Sequence, residues 1–339
     1  MKRIKWGRKE MKKNKIHFFL SLICIAVSLG LLLVSYACRQ KKEKPYVIGY
    51  VNPNPELEEG AQGFLRNMPK FGFIEGKNVT YIKFEGKDKK AMEAALKDMA
   101  AKHVDLIFTM TTPAAKMAKQ ITEGTNIPVV FIMYDAVRSG VVKNLTGPGG
   151  NMTGVQLRGS TQKSLEFLRT IVPNAKHLFV PVKFDTGGAL HNLEDLRKDA
   201  AKFNIEVMAS EVTTVEDLRA SMSSLPKDTD AIFLLHSWLV GSNMNIVIDN
   251  AIKRKVPVFS AGHVDYKNGV VLSYGPTDDR SGLQAARLAH NILHNSALPS
   301  HLPVATADFL LGINLKTAKA MGLEIPNDIL QQADFIIPK

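Results

Sequence analysis

From Tyr46 onward, short apolar runs alternate with segments of helical period, and few folds accommodate that rhythm. The first run is Val47–Val51, followed by Asn52-Pro53-Asn54-Pro55 and a predicted helix over Glu56–Phe71. Strands are predicted at Asn78–Phe84, Asp105–Phe108 and Ile127–Met133, with helices at Lys89–Lys102 and from Thr112-Pro113. After Val155 the rhythm restarts, with helices at Thr161–Ile171, Ala189–Phe203, Val215–Leu225 and Asn243–Lys255. Its strands are His177–Pro181, Ile205–Ala209, Ala231–Leu235, Val256–Ser260 and Gly269–Tyr274. Such alternation predicts α/β architecture with parallel sheets. Runs such as Ile127–Met133 lack a polar side, as strands covered by helices on both faces do. Two consecutive sets predict two lobes, 46–155 plus 278–304 and 156–277 plus 305–339.

The chain ahead of Tyr46 reads differently. Eight Lys and Arg residues between Lys2 and Lys15 precede an apolar run from Phe18 to Val34, then small residues leading to Cys38. This is the layout of an export signal. Cys38 directly after Ala37 is the expected cleavage and lipidation position, although Ser35 stands where Leu or Val is usual. The alternative is an uncleaved anchor, since the run nearly spans a bilayer core of about 30 Å. Either way the body is expected outside the cytoplasmic membrane, tied to it through lipid or an N-terminal anchor. Residues 39–45 form a short tether.

Charge and cysteine placement support this division. Of the formal +12, residues 1–44 carry twelve Lys/Arg against two Asp/Glu, leaving the body near neutral. The basic pI therefore belongs to the leader and gives no reason to expect nucleic acid. Both cysteines, Cys24 and Cys38, also lie in the leader, so the body has no disulfide and must be stabilised by burial.

Signatures of catalysis are missing from the sequence. It contains no G-x-S-x-G, H-E-x-x-H or C-x-x-C, so no enzyme activity, cofactor or metal is expected. The glycine-rich segment Pro148–Val155 lacks the spacing of a phosphate loop and reads as a turn entering a strand between the lobes. His290 and His294 stand four apart on a predicted helix, but no carboxylate or cysteine nearby completes a metal site; a solvated face is the expectation.

Several segments, in order, resemble a known family. These are Gly72–Val79 (GFIEGKNV), Thr112-Pro113-Ala114-Ala115, Ile127–Phe131 (IPVVF), Pro148–Val155 (PGGNMTGV), Val256–Phe259 (VPVF) and Ile313–Leu323 (INLKTAKAMGL). Together they resemble the substrate-binding lipoproteins of bacterial ABC transporters, in the group that includes tryptophan- and tyrosine-binding members. The resemblance implies a type I periplasmic-binding fold: two Rossmann-like lobes, three crossings and a cleft that closes on a ligand.

In open parallel sheets ligands bind beyond the carboxyl ends of strands, where helix N-termini carry partial positive charge. Thr111 and Thr112, opening a helix after the third strand, are expected to seat a ligand carboxylate; ordinary capping by Thr112 is the alternative. Tyr134 and Asp135 follow the Ile127 strand. The resembled family has Thr/Ser-Asp-Pro here, with an acid suited to a ligand amino group, whereas this chain has Tyr134 and Ala136 around Asp135. Asp135 as a local cap is the alternative reading. On the other lobe His236, Ser237 and Trp238 offer hydrogen bonds and a stacking face, with packing as the alternative for Trp238. His263 stands where the family commonly has an acid, which weakens the expectation of a standard amino-acid ligand. Asn52, Asn54 and Tyr274 complete the expected rim, with Asp185–Gly188 read as capping.

The expected function is capture of a small polar solute, an amino acid or carboxylate, for delivery to an ABC permease. The alternative is a sensing module read by a membrane kinase or receptor. Few aromatic residues, 7% of the chain, argue against a sugar site. A hydrolase on this scaffold would depend on Ser237 or His236.

Overall fold

The computed structural model describes residues 45–53, 58–159, 161–184, 187–262 and 265–338. The leader, its apolar run and Cys38 lie outside the described residues, as do Asn54, Asp185, Thr186 and His263. No described helix is long and apolar enough to cross a membrane.

Thirteen strands are described, β1 Tyr46–Asn52, β2 Val79–Glu85, β3 Leu106–Met110, β4 Val129–Met133, β5 Met152–Gln156, β6 His177–Val182, β7 Glu206–Glu211, β8 Ala231–Leu234, β9 Val258–Ser260, β10 Leu272–Pro276, β11 Ala305–Thr306, β12 Phe309–Asn314 and β13 Phe335–Ile337. They form two sheets, ordered β11-β5-β4-β3-β1-β2 and β13-β12-β10-β9-β8-β6-β7. The first five strands of each sheet share one winding order, 2-1-3-4-5, as in doubly wound flavodoxin-like folds. Ladders in the first sheet are parallel throughout; in the second, β12 runs antiparallel to β10. That reversal, not anticipated above, arises because β12 enters from the other lobe.

The helices are α1 Glu58–Asn67, α2 Lys89–Ala101, α3 Thr112–Thr122, α4 Thr161–Ile171, α5 Gly187–Ala201, α6 Val215–Ser223, α7 Trp238–Gly241, α8 Met244–Arg254, α9 Asp278–Leu293, α10 Leu315–Met321 and α11 Asn327–Leu330. The helix predicted to Phe71 changes to a 3₁₀ turn at Met68–Phe71, because Pro69 offers no N–H to an α-helical bond.

Alternating side chains of the first sheet feed two cores. Val51, Ile107, Val129 and Phe131 meet Met92, Leu96 and Met99 of α2 and Ala114, Ala115 and Ala118 of α3. Ile48, Tyr50, Phe108, Val130 and Ile132 face Phe64 of α1 and Ala285, Ala286 and Ala289 of α9. Phe108 stacks on Phe64 with ring centroids 4.1 Å apart. Helix α9 follows β10 of the second sheet in sequence yet packs on the first. A side chain at Gly282 would come within 2.3 Å of Gly63, so α1 and α9 meet backbone to backbone. The second sheet has one extensive apolar core around Phe179, Ile232, Phe233, Val258 and Leu272. Fully burying each such side chain contributes about 1.5–3 kcal/mol, so each sheet is covered by its own helices without a disulfide.

The chain passes from one sheet to the other after β5, between β10 and α9, and between β11 and β12. The last passage falls slightly later than expected: Ala305–Thr306 still pairs with β5, so the backbone leaves the first sheet only at Ala307-Asp308. Gly149 and Gly150 have φ of 72° and 66°, conformations that favour glycine, in the turn expected ahead of β5.

Candidate functional site

A 2-1-3-4-5 order reverses direction between its first and third strands, and the crevice there is where such sheets take ligands. In the first sheet this gap lies between β1 and β3, ending in Asn52 and Thr111. In the second it lies between β6 and β8, ending in Lys183-Phe184 and His236-Ser237. Asn52 is fully buried at the end of β1.

Thr111 has a backbone conformation few non-glycine residues adopt, φ 83° and ψ 155°. That region costs about 1–3 kcal/mol for a residue with a side chain. Hydrogen bonds on both sides hold it there: Thr111 N donates to Ile132 O at 2.9 Å, and Thr111 O accepts from Ala115 N at 3.1 Å. It also corrects the expected cap. The N-cap of α3 is Thr111, not Thr112, and Thr111 makes no side-chain capping bond. Its hydroxyl is buried and has no hydrogen-bond partner among the described residues, nor has that of Thr109. Thr112, the first residue of the helix, is buried. The start of α3 therefore joins a strained backbone, a first turn of amides uncapped by its own threonine, and a free hydroxyl.

Tyr134 and Asp135, at the end of β4, belong to a charged seam. Asp135 Oδ1 accepts from Arg138 N at 2.9 Å, so Asp135 caps its own turn. Its other oxygen lies 3.3 Å from Arg158 Nε and 3.7 Å from Arg138 Nε. Both guanidiniums reach on to Asp195 of α5, in the opposite lobe. Arg138 Nη2 donates to Asp195 Oδ1 at 2.6 Å, Arg158 Nε to Oδ2 at 2.8 Å and Arg158 Nη2 to Oδ1 at 3.1 Å. Tyr134 donates its hydroxyl to Asp195 Oδ2 at 3.4 Å. Burial works to raise the Asp195 pKa, but the hydrogen bonds from Arg158 and Arg138 outweigh it and hold the carboxyl below its ordinary range. Burial, reinforced by the Asp195 charge, pushes the Tyr134 phenol well above its usual pKa, so it donates as a neutral group.

On the second lobe, His236 is exposed and Ser237 half-buried. Ser237 O accepts from Gly241 N at 2.9 Å, closing the single turn α7 that begins at Trp238. Nothing is described for the Trp238 side chain. Sequence reasoning missed Asp265, close to the end of β9. Ser260 donates a short hydrogen bond to its carboxylate, while burial raises its pKa.

Tyr134, His236 and Tyr274, each expected at the rim from sequence, meet around one inter-lobe cavity, together with Leu157, Thr161, Asn192 and Phe309. Tyr274 and Phe309 lie with ring centroids 5.4 Å apart, giving the cavity more aromatic wall than strand ends alone predicted. A side chain at Gly159 would collide with the Phe309 ring at 1.9 Å, so the crossing segment runs directly over that wall. The walls enclose about 20 Å³, room for one water. Asn52, Thr111, Thr112, Asp135 and Ser237 are not among the residues that line this cavity.

Arg138, Arg158 and Asp195 were also missed. No local motif announces them, because they meet only when α5 approaches the loop after β4. Among the described residues no group of three or more His, Cys, Asp or Glu is placed to hold a metal. His290 and His294 stack on each other at 5.1 Å, and His290 stacks on Phe71 at 5.4 Å. His294 is exposed and His290 half-buried, so the expected solvated face holds at His294, while His290 joins an aromatic seam.

Comparison with known proteins agrees with this architecture. The chain is 27% identical over 288 residues to the tyrosine-binding protein of Clostridioides difficile, covering 84% of this chain and 82% of that one. It superposes on a conserved domain protein of Vibrio cholerae with a TM-score of 0.76 at 26% identity, covering 87% of this chain and all of that one. It matches a Streptococcus pneumonia ABC domain in complex with L-Trp with a TM-score of 0.76 at 22% identity, covering 87% and 100%. Against the ligand-free, open form of a Clostridium difficile substrate-binding protein with adhesive properties the TM-score is 0.68 at 28% identity, covering 88% and 100%. The sequence model described as "ABC transporter substrate binding protein" matches residues 47–337, nearly the whole body of the chain, which thus belongs to that family of binding proteins rather than enzymes.

Proposed function

We propose that this protein is the extracytoplasmic, membrane-tethered component of an ABC uptake system, capturing a small carboxylate-bearing solute, with amino acids foremost, between its lobes. The strained start of α3 carries the reading. A buried, unpartnered hydroxyl beside an uncapped helix N-terminus matches what a carboxylate requires: hydrogen-bond donors and partial positive charge. Thr111 and Thr112 would hold the carboxylate, with Asn52 and Tyr134 alongside. His236, Ser237, Trp238 and His263 would close from the other lobe. The tyrosine-binding relative and the ring-bearing walls of the inter-lobe cavity make aromatic amino acids the first class to test. Asp135 suits a ligand ammonium less well than its position promised, because Arg138 and Arg158 already neutralise it.

Closure would bring the two half-sites onto one guest and exclude water. A ligand that prefers the closed form shifts the population toward it, and the permease would read that form. Cys38 remains the proposed lipidation position.

A thermal-shift screen of the purified protein against amino acids, other carboxylates, nucleosides and sugars tests this. A true ligand at a hundredfold excess over its Kd stabilises by about 2.7 kcal/mol, and Thr111→Ala should remove most of that gain. Stabilisation only by sugars or nucleosides, unaffected by Thr111→Ala, would refute the reading.

A further inference from the structure

The charged seam joins groups from different lobes, and its partners are not equivalent. Arg138 follows β4, and Arg158, just past β5, donates its backbone N–H to Tyr134 O at 2.8 Å, so both guanidiniums move with the first sheet. Asp135, in that same lobe, orients them both. Asp195 rides on α5, between two strands of the second sheet. Each Asp195 oxygen accepts two hydrogen bonds across the gap: Oδ1 from Arg138 and Arg158, Oδ2 from Arg158 and Tyr134. Arg138 Nη1 also reaches His191 O and Glu194 Oε2, both at 3.3 Å. Helices α3 and α5 touch across the same gap. The Asp195 side chain is only 10% exposed, whereas those of Arg138 and Arg158 are 33% and 42% exposed.

From this arrangement we infer that Asp195 is the closure latch of the binding cleft. When the lobes part, the arginines keep Asp135 as counter-ion, while Asp195 exchanges four protein donors for water. The closed form alone contains the four bonds, so they raise its population and lengthen its lifetime. Asp195 is a positioning residue: it holds the half-sites together without needing to touch the guest. Water reaches the arginine side of the seam, so the latch is breakable and sensitive to salt, unlike an apolar contact. The inference gives a regulatory part to the solute-binding cleft proposed above and rests on that reading for its purpose, though not for its test.

Closure can be read without any ligand, by single-molecule energy transfer in the full chain. Dyes on azide-bearing residues at Lys116 of α3 and Lys198 of α5 would sit on exposed positions of the two helices that meet across the gap. In the wild type, raising NaCl from 50 mM to 1 M, which cuts the screening length to about 3 Å, should increase the low-transfer population severalfold. Asp195→Asn should raise that population at least fivefold at 50 mM and weaken its salt dependence to what the Arg138–Glu194 pair alone supplies, and Asp195→Glu should restore both. Arg158→Gln, made from the opposite lobe, should behave like Asp195→Asn and covers the case in which that variant folds poorly. A wild-type distribution in both neutral variants, or a salt response as large in them as in the wild type, would overturn the latch. A protein that shows the latch yet is stabilised by no carboxylate would leave the latch standing and sink only the proposed ligand.

Discussion

Helices α3 and α6 both begin at a threonine, and the two starts have opposite characters. At α6, Thr214 accepts from Asp217 N, and the Asp217 carboxylate accepts in return from the Thr214 amide, a complete capping box on an exposed surface. The Thr213 amide and hydroxyl add two more bonds to Asp217, pulling its pKa down to about 2. At α3, Thr111 makes no capping bond, holds a backbone conformation suited to glycine and leaves its hydroxyl unpartnered among the described residues. One start is complete within itself; the other retains unmet hydrogen-bonding capacity, and it lies at the gap where a doubly wound sheet takes its ligand. A satisfied helix start serves stability, whereas the strained and unsatisfied one is the ground for the ligand role proposed for Thr111.

Four experiments would break or sharpen that contrast. The largest effect is expected from Thr111→Ala on solute affinity. Losing a hydrogen bond to a charged group costs about 1.5–3 kcal/mol, a drop of tenfold or more by titration calorimetry, with stability little changed. An unchanged affinity would return Thr111 to an ordinary structural role. Thr111→Gly should relieve about 1–3 kcal/mol of strain against the 0.5–1 kcal/mol or so of added chain entropy. Urea denaturation should therefore show about 1 kcal/mol of added stability alongside weakened binding. Thr214→Ala should do the reverse, costing about 1 kcal/mol of stability with affinity intact. The smallest effect concerns pH. Because the folded pKa of Asp217 is depressed, its contribution is complete above the ordinary carboxylate pKa and is lost as pH falls toward about 2. The melting difference between wild type and Asp217→Asn should thus shrink over that acid interval; a difference that persists below it would contradict the cap.

Much of the scaffold was legible because burial on both faces leaves a plain imprint. Ile127–Phe131 and Ala231–Leu235 are unbroken apolar runs, and both prove to be central strands. Thr-Pro announced the start of α3, yet local spacing could not tell which threonine would cap it. That depended on the hydrogen bond tying Thr111 to Ile132 of the neighbouring strand. Pro69 ended α1 for a reason visible in its own covalent structure. The reversed β12 was not legible, because its direction depends on where the preceding crossing leaves the chain.

The seam was invisible for the same reason. Arg138 and Asp195 are 57 residues apart, in different repeats of the strand–helix rhythm, and each on its own looks like a solvated surface charge. Hydrophobic periodicity is a local property, repeated every two or 3.6 residues, so the order of apolar and polar residues alone determined two α/β lobes and a gap between them. Which polar groups face each other across that gap depends on the placement of whole sheets and helices. Only the tertiary structure could decide that Asp195 meets two arginines and that the Thr111 hydroxyl has no hydrogen-bond partner among the described residues.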